Sequence, residues 1–235
     1  MKHQHVVVQS PVFPAKQLLL LFHTAGDNPV SMAEIGRWFA PVFPDAMVVC
    51  LAGPLASGPA PGRAWFAPTG ELNEPDEQAL QEKIDAVMPG VVNEVKYWQR
   101  ESGVDAGATA LIGFSQGATI ALEAIKASPG LASRVISFSG RFALLPEHAS
   151  TQTTIHLIHG EYDDVVEVRT AQQGYVALLH AGGDVTLDIV DDLGHAIDER
   201  GMKFALDHLR YTIPRRYFDD ALSVSPGKDD VIGLR

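Results

Sequence analysis

The stretch Gly113, Phe114, Ser115, Gln116, Gly117 constrains this chain more than any other, because of what flanks it. It follows the apolar run Ala110, Leu111, Ile112 and opens a segment, 116–127, whose apolar residues recur three or four apart. That order reads as strand, tight turn and helix. A serine on such a turn stands above the edge of a sheet at a helix N-terminus, where the helix dipole favours developing negative charge. The glycines two before and two after it leave room for neighbouring backbone.

The rest of the chain repeats the alternation. Short apolar runs at 6–9, 18–22, 47–51, 109–114, 135–139, 155–158 and 185–190 read as strands. Segments 31–39, 77–101, 116–127, 168–181 and 196–209 carry helical spacing, with a break expected near Pro89 and Gly90. Strands alternating with helices predict an α/β fold: a mostly parallel central sheet with helices on both faces. The 235 residues fit one domain, 1–222, followed by a flexible tail, 223–235. Residues 53–70, rich in Gly and Pro and carrying Arg63, Trp65 and Phe66, read as a long irregular connection, and no insertion is large enough for a lid.

Charge and cysteine usage exclude several classes of function. With 29 acidic against 18 basic residues the net charge is −11, a field that repels phosphate backbones and anionic lipid, so neither nucleic acid nor stable membrane association is expected. Cys50 is the single cysteine and lies in an apolar run, which allows no intramolecular disulfide and reads as a buried hydrophobe. The N-terminus lacks a secretion-signal pattern, so a cytoplasmic location is expected.

A serine hydroxyl needs a histidine base and an acid that orients it. Among nine histidines, His195 follows the run 185–190 and stands in a post-strand loop. His3, His5, His148, His180 and His208 read as solvated, and His156 as a packed strand residue. His23 and His159 also follow strands, but no two-ligand metal spacing accompanies them, so each is expected to bond to loop backbone. The acid falls among Glu161, Asp163 and Asp164, in the loop after 155–158, and position alone does not choose. Asp191, Asp192 and Asp198 read as surface charges. The chain order is Ser, acid, His, the order of α/β hydrolases.

Six segments resemble the phospholipase/carboxylesterase family of α/β hydrolases: LLLLFH (18–23), GDNP (26–29), GRAWF (62–66), LIGFSQGA (111–118), LIHGEYDDVV (157–166) and LGHAID (193–198). The resemblance implies that Ser115, Asp163 and His195 are the catalytic triad, choosing Asp163 over its neighbours. It also implies an oxyanion hole made by the backbone N–H groups of Gln116 and Ala25. Thr24 departs from the family, which carries glycine there; a turn needing positive φ would be poorly served by a β-branched residue. Ala67 and Asp164 depart as well, standing where aspartate and proline are common.

The function this implies is ester hydrolysis through an acyl-enzyme on Ser115, with short acyl chains favoured by an open site. Thr24, Trp65 and Phe66 are the expected pocket residues. No metal or organic cofactor is required, the expected partner is a small-molecule ester, and a homodimer stays open. Two alternatives are thioester hydrolysis by the same triad and a catalytically impaired hydrolase fold that binds a small molecule.

Overall fold

The structure, a computed structural model, describes residues 5–12, 14–67 and 77–218. Its strands are β1 (Val6–Gln9), β2 (Gln17–Phe22), β3 (Ala46–Leu51), a small β4–β5 ribbon (Leu55–Ala56 and Arg63–Ala64), β6 (Thr109–Phe114), β7 (Arg134–Phe138), β8 (Thr154–Gly160) and β9 (Asp184–Val190). The helices are α1 (Pro29–Phe39), α2 (Glu77–Ser102), α3 (Gln116–Ala127), α4 (Val168–His180) and α5 (Glu199–Tyr211). Among the described residues the central sheet has seven strands in the order β1-β3-β2-β6-β7-β8-β9. All pairings in it are parallel except β1 with β3, where the first strand closes one edge antiparallel.

Alternation along β2 shows how the sheet is covered. Leu18, Leu20 and Phe22 point into a core built with Leu80, Ile84 and Trp98 of α2 and Ile125 of α3. Leu19 and Leu21 point into a second core with Met32 and Phe39 of α1 and Met202 of α5. A central parallel strand is buried on both faces, which is why it reads as an unbroken apolar run rather than an alternating one. Leu20 is fully excluded from solvent, and truncating such a leucine to alanine costs about 2–5 kcal/mol.

Helix α2 runs unbroken through Pro89, contrary to the expected interruption. Ile84, Met88, Val91 and Val95 bury one face on both sides of the proline, whereas Pro89 and Gly90 face solvent. The backbone carbonyl freed by the missing N–H is therefore open to water, and packing outweighs the lost bond. Helix α5 starts at Glu199, later than its apolar spacing suggests, because Asp198 caps it by accepting from Gly201 N–H at 2.9 Å. The β4–β5 ribbon was not legible in the pattern of residues 53–70. The tail 223–235 lies outside the described residues.

Candidate active site

The parallel strands deliver their following loops to one edge of the sheet, where an open α/β sheet assembles its ligand sites. Ser115, directly after β6, has φ 54° and ψ −116°. That conformation costs a non-glycine residue about 1–3 kcal/mol. Tight neighbours hold it: a Cβ on Gly117 would lie 2.2 Å from Phe22 O, and one on Gly113 would lie 2.4 Å from Ala118 N. The same close approach seats the start of α3 against the turn that follows β2.

His195 follows β9 and joins the serine to an acid. Its Nε2 accepts from Ser115 Oγ at 3.0 Å, and its Nδ1–H faces both oxygens of Asp163 at 2.9 Å. Phe114 supports the imidazole from one side, with ring centroids 4.9 Å apart. The Asp163 side chain is wholly excluded from solvent. Burial pushes its pKa up, but the Val166 N–H, the His195 ring, the Ser139 hydroxyl and the Val165 N–H together hold it below the ordinary aspartate value. Glu161 and Asp164 are exposed, and Glu161 instead accepts from Asp192 N–H at 3.3 Å.

The turn after β2 is fixed from several directions. His23 is fully buried; its Nδ1–H donates to Thr24 O at 2.7 Å and its Nε2 accepts from Gly53 N–H at 3.0 Å. Burial holds this ring neutral by lowering its pKa. Asp27 N–H also donates to Thr24 O, at 3.3 Å. In a trans peptide the C=O and the next N–H point in opposite directions. Two donors on Thr24 O therefore aim the Ala25 N–H away from them. Among the described residues neither Ala25 N–H nor Gln116 N–H donates to a protein acceptor. The left-handed residue of this turn is Gly26, φ 80°; Thr24 lies outside that region, so its β-branched side chain is not strained there.

Residues 62–66 strap this turn to the serine loop. Gly26 N–H donates to Arg63 O at 2.8 Å, and Arg63 N–H donates to Asp27 O at 2.7 Å. Trp65 Nε1–H donates to His23 O at 2.8 Å. The side-chain amide of Gln116 accepts from Trp65 N–H at 2.7 Å and donates to Phe66 O at 3.0 Å. Trp65 and Phe66 are 3% and 8% exposed and belong to the core with Phe22 and Leu80, so they offer little surface to a ligand. Thr24 is partly buried and Ala25 exposed.

Sequence reading missed the Gln116 side chain, His23 as an anchor for a carbonyl, and Ser139, whose φ of 50° turns the chain beside Asp163. The Ser139–Gly140 pair directly after a strand was the available signal for the last. Two histidines expected to be solvated are engaged. His208 stacks on His156 at 4.2 Å and pairs with Asp188 at 2.6 Å, while His5 pairs with Glu94 at 2.9 Å. Their partners lie far along the chain, beyond the reach of local pattern. His3 falls outside the described residues. His159 stands within β8, which runs two residues further than the apolar run suggested, and bonds to the loop carbonyl Val166 O at 2.7 Å. Among the described residues no group of three or more His, Cys, Asp or Glu could hold a metal ion.

The family profile described as phospholipase/carboxylesterase matches residues 3–213. The chain belongs to the phospholipase/carboxylesterase family. A curated member, Esterase YpfH of Escherichia coli strain K12, is 64% identical over 235 residues, covering 100% of both chains. A solved family-like structure, esterase PE8, superposes with a TM-score of 0.77 at 27% identity, over 90% of this chain and 98% of its own. Acyl-protein thioesterase 1 of Kluyveromyces lactis is 27% identical over 177 residues, 70% of this chain and 77% of that protein. This family member has the α/β-hydrolase fold and is a carboxylic ester hydrolase, as the resemblance implied. No helix among its described residues is long and apolar enough to cross a membrane.

Proposed function

We propose that this protein is a serine carboxylesterase that works through an acyl-enzyme on Ser115. The observation that carries the reading is the position of one imidazole: His195 Nε2 is 3.0 Å from Ser115 Oγ, while its Nδ1 is 2.9 Å from both Asp163 oxygens. With Asp163 held ionised, the Nδ1–H tautomer is favoured and Nε2 is free to act as the base.

In the first half-reaction Ser115 Oγ attacks the ester carbonyl as its proton passes to His195 Nε2. The carbonyl oxygen becomes an oxyanion that accepts from the Gln116 and Ala25 N–H groups, neither of which has a protein acceptor among the described residues. The tetrahedral species collapses, the C–O bond to the alcohol breaks, and His195 returns the proton to the leaving oxygen. Water then attacks the acyl-enzyme by the same route and releases the carboxylic acid with Ser115 restored.

Short acyl chains are the proposed substrates, since Trp65 and Phe66 are taken up by the core rather than by a deep acyl pocket. The 27% identity to an acyl-protein thioesterase favours thioester cleavage as a second reading. Rates for oxygen and sulfur esters of one acyl group, measured side by side, separate the two.

Labelling with a fluorophosphonate tests the nucleophile. The wild type acquires one adduct on Ser115 and loses activity, and Ser115→Ala is neither labelled nor active. Undiminished esterase activity in a folded Ser115→Ala protein would overturn the reading.

A further inference from the structure

Arg141 leaves the carboxyl end of β7, which lies in the sheet between β6, the strand leading to Ser115, and β8, the strand leading to Asp163. Its backbone N–H donates to Thr119 Oγ1 at 3.3 Å, and Thr119 N–H donates to Ser115 O at 3.0 Å. The residue is thereby tied to the first turn of α3, on the same edge as the triad.

Its side chain differs from those of the other partly buried arginines, of which Arg216 lies over the Tyr217 ring at 5.0 Å. Arg63 donates to the carbonyls of Gly53 and Pro54, and Arg134 to Thr154 Oγ1 and Thr212 O. Arg141 is partly buried too, yet its guanidinium has neither a hydrogen-bond acceptor nor an ion-pair partner among the described residues. Burial lowers its pKa, with only the nearby Glu77 carboxylate acting in the opposite direction. Its guanidinium nitrogens are reached by solvent rather than sealed in the core, so a ligand arriving at this edge of the sheet can meet them. A guanidinium offers a planar fork of donors that matches a carboxylate in two parallel bonds.

We propose that Arg141 binds a carboxylate carried by the ester substrate, so that the enzyme selects acidic esters over neutral ones of the same shape. The proposal rests on Ser115 being the nucleophile. It also supplies local attraction for an anion on a protein whose net charge is −11.

Two matched pairs test it and report which side of the ester bears the charge. p-Nitrophenyl hemisuccinate against p-nitrophenyl isohexanoate puts the carboxylate on the acyl side. Meta-acetoxybenzoate against 3-isopropylphenyl acetate puts it on the alcohol side. After correction for spontaneous hydrolysis, the wild type prefers the anionic member of one pair in kcat/KM. Arg141→Gln lowers that anionic-to-neutral ratio about 10- to 100-fold, and Arg141→Lys lowers it less. The guanidinium has no protein partner to lose, so both variants melt within a few degrees of the wild type.

No anionic preference in either pair, or an equal loss on both members in Arg141→Gln, overturns the role of Arg141. The Ser115→Ala control keeps the two failures apart: activity surviving there overturns the nucleophile and this proposal with it. An inactive Ser115→Ala beside an unmoved ratio overturns the Arg141 role alone.

Discussion

The side-chain oxygen of Gln116 accepts the backbone N–H of Trp65 at 2.7 Å, across 51 residues of sequence. The residue after the proposed nucleophile thus grips the strap that, through Trp65 Nε1 and the Arg63 backbone, also holds the turn carrying Ala25. Both proposed oxyanion donors hang from one short segment.

Gln116→Ala removes both amide bonds while leaving the backbone donor in place. We expect kcat to fall about 10- to 100-fold with KM little changed, a smaller loss than deletion of a donor outright. The affinity of a trifluoromethyl ketone, which mimics the oxyanion, should fall in parallel. A rise in KM with unchanged kcat would instead assign Gln116 to ground-state binding.

Asp163→Asn keeps an oxygen for the Val165 and Val166 N–H groups, now at 3.0 and 2.8 Å. The new amide N–H faces His195 Nδ1 and favours the tautomer with its proton on Nε2, which cannot take a proton from Ser115. The expected loss is about 10⁴-fold in kcat, by the magnitude known for this change in a serine protease. Steady-state kinetics on protein with a wild-type circular dichroism spectrum checks it.

Thr24→Gly should leave kcat within about threefold of the wild type, because the left-handed residue of the turn is Gly26 and Thr24 is unstrained. His23→Phe, by contrast, frees Thr24 O of its 2.7 Å donor and loosens the Ala25 peptide. A tenfold or larger fall in kcat is expected for it. Measured together, the two variants separate the residue at position 24 from the orientation of its carbonyl.

Stability should decline as pH falls below about 6.5. Burial pushes His156 down to about 2, with His208 and Arg134 adding repulsion, and burial also lowers His23 and His159. The unfolded chain binds protons on these rings below their ordinary pKa while the native state refuses them. Stability is therefore complete above about pH 6.5 and lost progressively toward the native values. Asp163 works at lower pH: its depressed pKa gives stability above the ordinary aspartate value, and that is lost in stronger acid. Melting temperatures at pH 7.5 and pH 5 should differ less for His156→Gln than for the wild type.

Local pattern made the frame legible. The apolar runs, the helical spacing and the serine on its strand-to-helix turn are properties of neighbouring residues, and periodicity reports which faces must be buried. Family resemblance, rather than spacing, chose Asp163 among three acids within four positions. Only the folded chain distinguishes them physically: the Asp163 carboxylate is sealed from solvent against His195, while Glu161 and Asp164 face outward. The unbroken helix at Pro89 depended on which side of α2 met the core, and the stacking of His208 on His156 on a strand far upstream in sequence. The strained serine loop itself announced where chemistry would sit. What the sequence by itself determined was the order of elements and the residue types at their ends. Tertiary structure decided which of those groups meet, because hydrogen bonds and burial form between segments that local sequence cannot relate.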